Sequence, residues 1–177
     1  MEEHKEVTVS GKLAFDDFKK HNRYHQSKWN ALLILVSLLL FSLLFSYAMS
    51  GTWFLVAIVS LMLGSIFAGI LWLLLKLIVF FRVKREYYSD SLIKSEMYYT
   101  VNSTGIEQKV RRSNTYFTWN DIRAVYEHKD LFQLYVSRNK AIVLPKRYFQ
   151  SKEQLDLFKS IVSEHVSSKK VRMFPSL

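Results

Sequence analysis

The chain has 177 residues, with 25 Lys/Arg against 15 Asp/Glu, a formal charge of +10, and no cysteine. The missing thiols exclude disulfide frameworks, thiolate zinc sites and cysteine nucleophiles, and they leave the redox compartment open. About a third of the chain is one apolar stretch, so the remainder supports a single small soluble core at most.

Residues 1–28 form the first segment. Glu6 to Leu13 alternate apolar with polar side chains, which predicts a short strand. From Phe15 the period becomes helical: Phe15, Phe18, Asn22 and His25 or Gln26 share a face, and Asp16 and Asp17 suit a first helical turn. This helix is expected to run directly into the apolar stretch, leaving the strand free to join a sheet built further along the chain. His21 and His25 stand four apart beside Asp17, the spacing of a His-x3-His metal pair. Interfacial histidines near lipid headgroups explain them equally, and no metal or cofactor is assigned.

Residues 29–81 are one long, largely apolar stretch broken at Ser50-Gly51-Thr52, with Lys76 its only charged side chain. Trp29 to Met49 and Trp53 to Leu75 carry no charged side chain, and each would reach roughly 30 Å as a helix, the thickness of a hydrocarbon core. The prediction is a transmembrane hairpin. Lys5, Lys12, Lys19, Lys20, Arg23 and Lys28 precede it, Arg82, Lys84 and Arg85 follow it, and the turn is uncharged. The positive-inside tendency then puts both termini of a multi-pass cell-membrane protein in the cytoplasm. Trp29, Trp53 and Tyr47 suit the interfaces, and Lys76 can snorkel. Ala48-Met49-Ser50 loosely resembles a signal-peptidase site, but five acidic residues precede the run and a second span follows at once, so an uncleaved anchor fits better. Ser60, Gly64 and Ala68 recur every four residues, flanked by Ser65 and Gly69, with Ser42 and Ser46 in the first span. Small residues at this spacing let helices approach closely in lipid, here the two helices of one hairpin in preference to a homodimer face. Neither span holds an Asp, Glu, Arg or His, which argues against a proton relay or ion path.

Residues 82–166 are expected to form the soluble module, and 167–177 a basic tail with Pro175 set against continued helix. From residue 82 onward there are 18 Lys/Arg against 10 Asp/Glu. Short β-prone runs occur at Tyr98-Tyr99, Ile106 to Val110, Tyr116 to Trp119, Ile122 to Glu127, Leu131 to Val136 and Ala141 to Leu144. Asn102 to Gly105, Arg111 to Asn114 and Ser137 to Lys140 separate them as turns. Ser151-Lys-Glu-Gln is a capping box, and Leu155, Phe158, Ile161 and Val162 mark one face of the helix it opens. The predicted fold class is a membrane α-hairpin plus a soluble α+β module: an antiparallel, pleckstrin-homology-like barrel or sheet with a C-terminal amphipathic helix.

Particular residues in this outline resemble bacterial YcxB-like membrane proteins. The matching segments are Phe15 to Phe18 and the hairpin, then Phe117-Thr-Trp119-Asn-Asp121-Ile122, Leu131 to Tyr135, and Ile142-Val-Leu-Pro145-Lys146-Arg147-Tyr-Phe149. The resemblance runs most of the chain and implies a hairpin with a YcxB-like C-terminal domain. Members of that family are largely of unassigned function, so it implies no mechanism.

The module's single glycine, Gly105, is incompatible with phosphate-binding loops that need several. His128 and His165 assemble no nucleophile and base, so no enzyme activity is expected. Trp119 reads as an aromatic plugging the barrel's end, with Asp121, Ile122 and Pro145 as structural companions. Lys109, Arg111 and Arg112 around one turn, with Lys146 and Arg147 after the last strand, are the candidate phosphate- or partner-binding cations, weighed against an ordinary solvated basic face. The expected partners are the lipid bilayer and a protein, with no nucleic acid and no small-molecule cofactor. The alternative is an accessory or scaffold subunit that packs on a larger complex through the hairpin.

Overall fold

The computed structural model describes residues 5–173, without the side chains of residues 25–31. Trp29, expected at an interface, and His25, expected beside His21, fall among those side chains, and Pro175 lies outside the described residues. The chain divides into two compact units, one made from its two ends (Met1–His21 with Tyr87–Leu177) and one from its middle (Asn22–Glu86).

In the first unit, β1 (Val7–Lys12), β2 (Glu96–Val101), β3 (Gly105–Val110) and β4 (Ser113–Thr118) form an antiparallel sheet in that order. Alternation decides how β1 lies. Val7 and Val9 are buried opposite Val101 and Tyr99, while Thr8 and Ser10 turn outward. The apolar helices are therefore an insertion, in sequence, between two neighbouring strands of one sheet.

The second sheet has the order β7 (Ala141–Pro145), β6 (Leu131–Tyr135), β5 (Ala124–Glu127), β8 (Val171–Arg172), antiparallel except for the β5–β8 pair. That last pair corrects the expected tail: residues 168–172 make a 3-10 turn and a short strand beside β5. The turn expected over Arg111–Asn114 is also shorter than the composition suggested. Ser113 and Asn114 already pair with Val110 and Lys109, leaving Arg111 and Arg112 to reverse the chain, with Arg111 at φ 53. Trp119 leaves the strand and opens a 3-10 turn, Trp119–Asp121.

The helix α3 (Lys152–His165) closes the core. Half of the expected capping box is built: Ser151 Oγ accepts from the Gln154 N–H at 3.2 Å, but Gln154 Oε1 accepts at 2.8 Å from the N–H of Gln150, one residue before the cap. Gln154 Nε2 also donates to Thr8 O at 2.9 Å, tying helix to β1. Phe158, Ile161 and Val162 are buried, and Phe158 meets the rings of Phe132 and Phe149 at 5.0 and 5.3 Å.

At Gly11, β1 passes close against Tyr148. A Cβ there would lie 2.3–2.8 Å from ring carbons of Tyr148, itself buried. Gly11→Ala is expected to lower stability by about 1–3 kcal/mol through overpacking. The thermal midpoint of the full-length protein reads this out, and an unchanged midpoint would mean that the ring can yield.

The second unit holds most of α1 (Phe15–Ala48) and α2 (Trp53–Ser89), joined through residues 49–52. By length and composition α2 is apolar enough to cross a membrane, and Leu32–Ala48 is a shorter apolar run within α1. Ser60, Gly64 and Ala68 are buried on one face of α2. At Gly64 the approach is so close that a Cβ would lie 2.4 Å from Ser42 Oγ and 2.9 Å from its backbone nitrogen. Phe67 packs on Phe41 and Phe45 at 5.6 and 5.2 Å. Gly69 differs from the other small residues, since a Cβ there would meet nothing within 4 Å. Lys76 folds back over the Trp72 ring at 3.6 Å, a cation–π contact one helical turn away.

Candidate functional site

The five candidate cations separate into two groups. Lys109 and Arg112 are exposed on the β3–β4 hairpin, with Lys109 in one cross-strand row with Tyr98 and Asn114. Arg111 reaches back, its Nε donating to Ser95 Oγ at 2.9 Å and its Nη2 to Ser91 O at 3.3 Å.

Lys146 and Arg147, in the 3-10 turn after β7, are committed inside the module. Lys146 Nζ donates to Glu127 Oε1 at 2.6 Å, Lys159 Nζ from α3 donates to the same oxygen at 2.9 Å, and the Glu127 side chain is only 1% exposed. Arg147 Nη1 pairs with Asp17 Oδ2, and its Nη2 donates to Lys12 O at 2.8 Å. Asp17 also accepts from the Ala14 N–H at 3.0 Å, which caps the first turn of α1. Lys146 and Arg147 therefore fasten β5 and the start of α1 to the end of β7, and Lys159 brings α3 to the same Glu127 carboxylate. Pro145 sits on an edge strand, where its missing N–H costs no ladder bond.

The motif around Trp119 is structural in every contact it makes. Trp119 Nε1 donates to Asn102 O and Ser103 O, both at 3.1 Å, and the ring stacks on His165 at 5.7 Å. It thus holds the β2–β3 turn, which Asn102 Oδ1 shapes from within by accepting from the Thr104 and Gly105 amides. Asp121 Oδ2 accepts from the Thr118 N–H and Oγ1 at 2.9 and 2.8 Å, closing a capping box, and Ile122 is fully buried behind it.

A buried polar arrangement centres on Gln133 of β6, a residue that no sequence motif singles out. All five residues of β6 are buried, so both faces of that strand are covered and Gln133 has to be satisfied internally. Its Nε2 lies 2.7 Å from His21 Nδ1 and donates to His21 O at 3.1 Å. Its Oε1 lies 3.1 Å from His128 Nε2 and accepts from Tyr135 OH at 3.3 Å. The unbroken burial of Leu131 to Tyr135 was legible as a missing alternation, a signal that could have marked Gln133 in advance.

Burial lowers the His128 pKa, opposed by its bond to Gln133 and reinforced by the Lys146 charge. Burial raises Tyr135, and it pushes Tyr148 up to about 12. Asp16 and Asp130, at 2.8 and 3.1 Å, hold Lys20 more firmly protonated than an ordinary lysine. Among the described residues no three His, Asp or Glu side chains are grouped to hold a metal ion.

Residues 101–162 match the family model described as YcxB-like protein. A curated Bacillus subtilis (strain 168) protein named "Uncharacterized protein YcxB" is 33% identical over 100 residues, 56% of this chain and 54% of that protein. The chain carries a YcxB-like domain. It spans about half the length of the curated relative it matches, and no solved structure matches. The YcxB-like segment takes in β3 to β7, the Trp119 motif, Gln133, His128, Tyr135 and most of α3, while His21 lies outside it.

Proposed function

We propose that this chain is a membrane-anchored binding protein. In this reading α1 and α2 cross the cell membrane as a hairpin and both termini are cytoplasmic. The YcxB-like domain, with a pleckstrin-homology-like arrangement, engages a partner protein or anionic lipid headgroups. One observation carries the anchoring. Leu61, Met62, Ile66, Leu73 and Ile78 of α2 are each more than half exposed, while Ser60, Gly64 and Ala68 are buried. An apolar surface of that extent is foreign to water and ordinary in hydrocarbon, where small residues pack and large ones meet lipid.

The binding surface best supported is the outer face of the first sheet at the β3–β4 hairpin. Lys109 and Arg112 are exposed there, and Tyr98 and Tyr116 are about half exposed on neighbouring strands. Lys146 and Arg147 drop out of that surface because their charges are met by Glu127 and Asp17.

The test is in-cell photocrosslinking from a photoreactive residue at Tyr116 of the full-length protein, with a Lys109→Gln/Arg112→Gln variant alongside. A protein or lipid adduct that the variant loses is expected, and its mass identifies which of the two is bound. Absence of any adduct from this face in the wild type would sink the assignment of the surface.

A further inference from the structure

The carboxamide of Gln133 is 2% exposed and uses both N–H groups and its oxygen. Its orientation is fixed by one partner. His21 O can only accept, so the NH2 end must face it at 3.1 Å. His21 Nδ1, 2.7 Å from the same NH2, must then present a lone pair. His128 Nε2 faces the carboxamide oxygen at 3.1 Å and must carry a hydrogen. The two imidazoles on one amide are thus held in opposite senses: a proton added to His128 leaves its bond intact, whereas a proton added to His21 Nδ1 sets N–H against N–H.

We propose that His21 is a proton-operated catch on the first helix: neutral, it ties the opening turns of α1 to β6, and protonated, it releases them. Turning the Gln133 amide over does not rescue the protonated state. The oxygen would then confront His21 O, which can only accept.

Among the described residues, charged and titratable groups near the catch come from several elements. Its own helix supplies Asp17, paired with Arg147, and Lys20, paired with Asp16 and with Asp130 from the β5–β6 turn. From the end of β5 comes Glu127, held by Lys146 and Lys159, and from the residue after it His128. Tyr135 lies two residues along β6, and Tyr87, from the end of α2, packs on Phe18 at 6.0 Å. The Asp17–Arg147 pair keeps the helix start from leaving altogether. The inference does not depend on what the YcxB-like domain binds.

Hydrogen exchange on the full-length protein in lipid nanodiscs tests it. Between about pH 7.5 and about pH 5.5, amides of residues 17–22 should lose at least about 10-fold in protection after correction for intrinsic rates, while β6 stays protected. His21→Asn places an amide oxygen where Nδ1 stood and does not titrate, so it should abolish the pH response; His128→Gln should keep it. A pH response that survives His21→Asn, one that His128→Gln abolishes, or a wild type without any response would each overturn the proposal. The wild type offers a second check, since imidazole 15N resonances at about pH 7.5 should show His21 Nδ1 unprotonated. A protonated Nδ1 there would equally overturn it.

Discussion

Glu127→Gln is expected to cost the YcxB-like domain about 3 kcal/mol, because one buried carboxylate is the countercharge for two lysines. Glu127 Oε1 receives Lys146 at 2.6 Å and Lys159 at 2.9 Å, and those side chains are 24% and 11% exposed. Lys159, the more enclosed cation, suffers most when the charge goes. A glutamine of the same shape still accepts a hydrogen bond, so the loss reports on charge and not on packing. For a domain of this size the thermal midpoint should fall by on the order of 15 °C. Replacing all three residues together, Glu127→Met with Lys146→Met and Lys159→Met, should cost much less than Glu127→Gln alone, since an apolar replacement of a whole buried ion cluster is near neutral. If Glu127→Gln alone leaves the midpoint unmoved, the two lysines are solvated in the native state and the cluster contributes nothing.

The second large effect separates two glycines of α2 that look alike in sequence. Gly64→Leu should destabilise the helical unit by about 2 kcal/mol or more, because the new side chain meets the backbone nitrogen of Ser42, which cannot move aside. The helices would have to part, loosening the Phe67 contacts with Phe41 and Phe45. Gly69→Leu should be close to neutral, since no atom lies within 4 Å of its missing Cβ. Unfolding in SDS-containing mixed micelles compares the two variants. Equal effects at both positions would contradict the packing described.

The parts legible in the sequence were those written in local patterns. The length and lack of charge of two apolar runs marked the two helices, alternation marked the strand at Val7 and Val9, and the Ser151–Gln154 spacing marked the cap of α3. Turn boundaries were read less well around Arg111, because Ser and Asn in Ser113 and Asn114 suggest a turn while cross-strand pairing draws both into β4. Val171 and Arg172 were read as tail because a two-residue strand carries no period of its own.

The polar seam was illegible for a different reason. Asp17 and Arg147 are 130 positions apart, and His21 and Gln133 are 112 apart. Nothing local to either partner announces the other. Lys146 and Arg147 looked like a free basic pair for the same reason: charge is visible in a sequence, and the carboxylate that will meet it is not. Only Gln133 left a trace, as a polar residue in a strand that failed to alternate.

The most direct test of the account is the side of the membrane on which each part lies. The chain has no cysteine, so single cysteines can be introduced without background. Ser50→Cys, in the turn between the helices, and Ser163→Cys, exposed on α3, would be treated in intact cells with a membrane-impermeant maleimide. The account predicts that the cysteine at position 50 labels in intact cells and the one at position 163 labels only after lysis. A position 163 that labels from outside, or a protein that carbonate washing strips from the membrane, would contradict it.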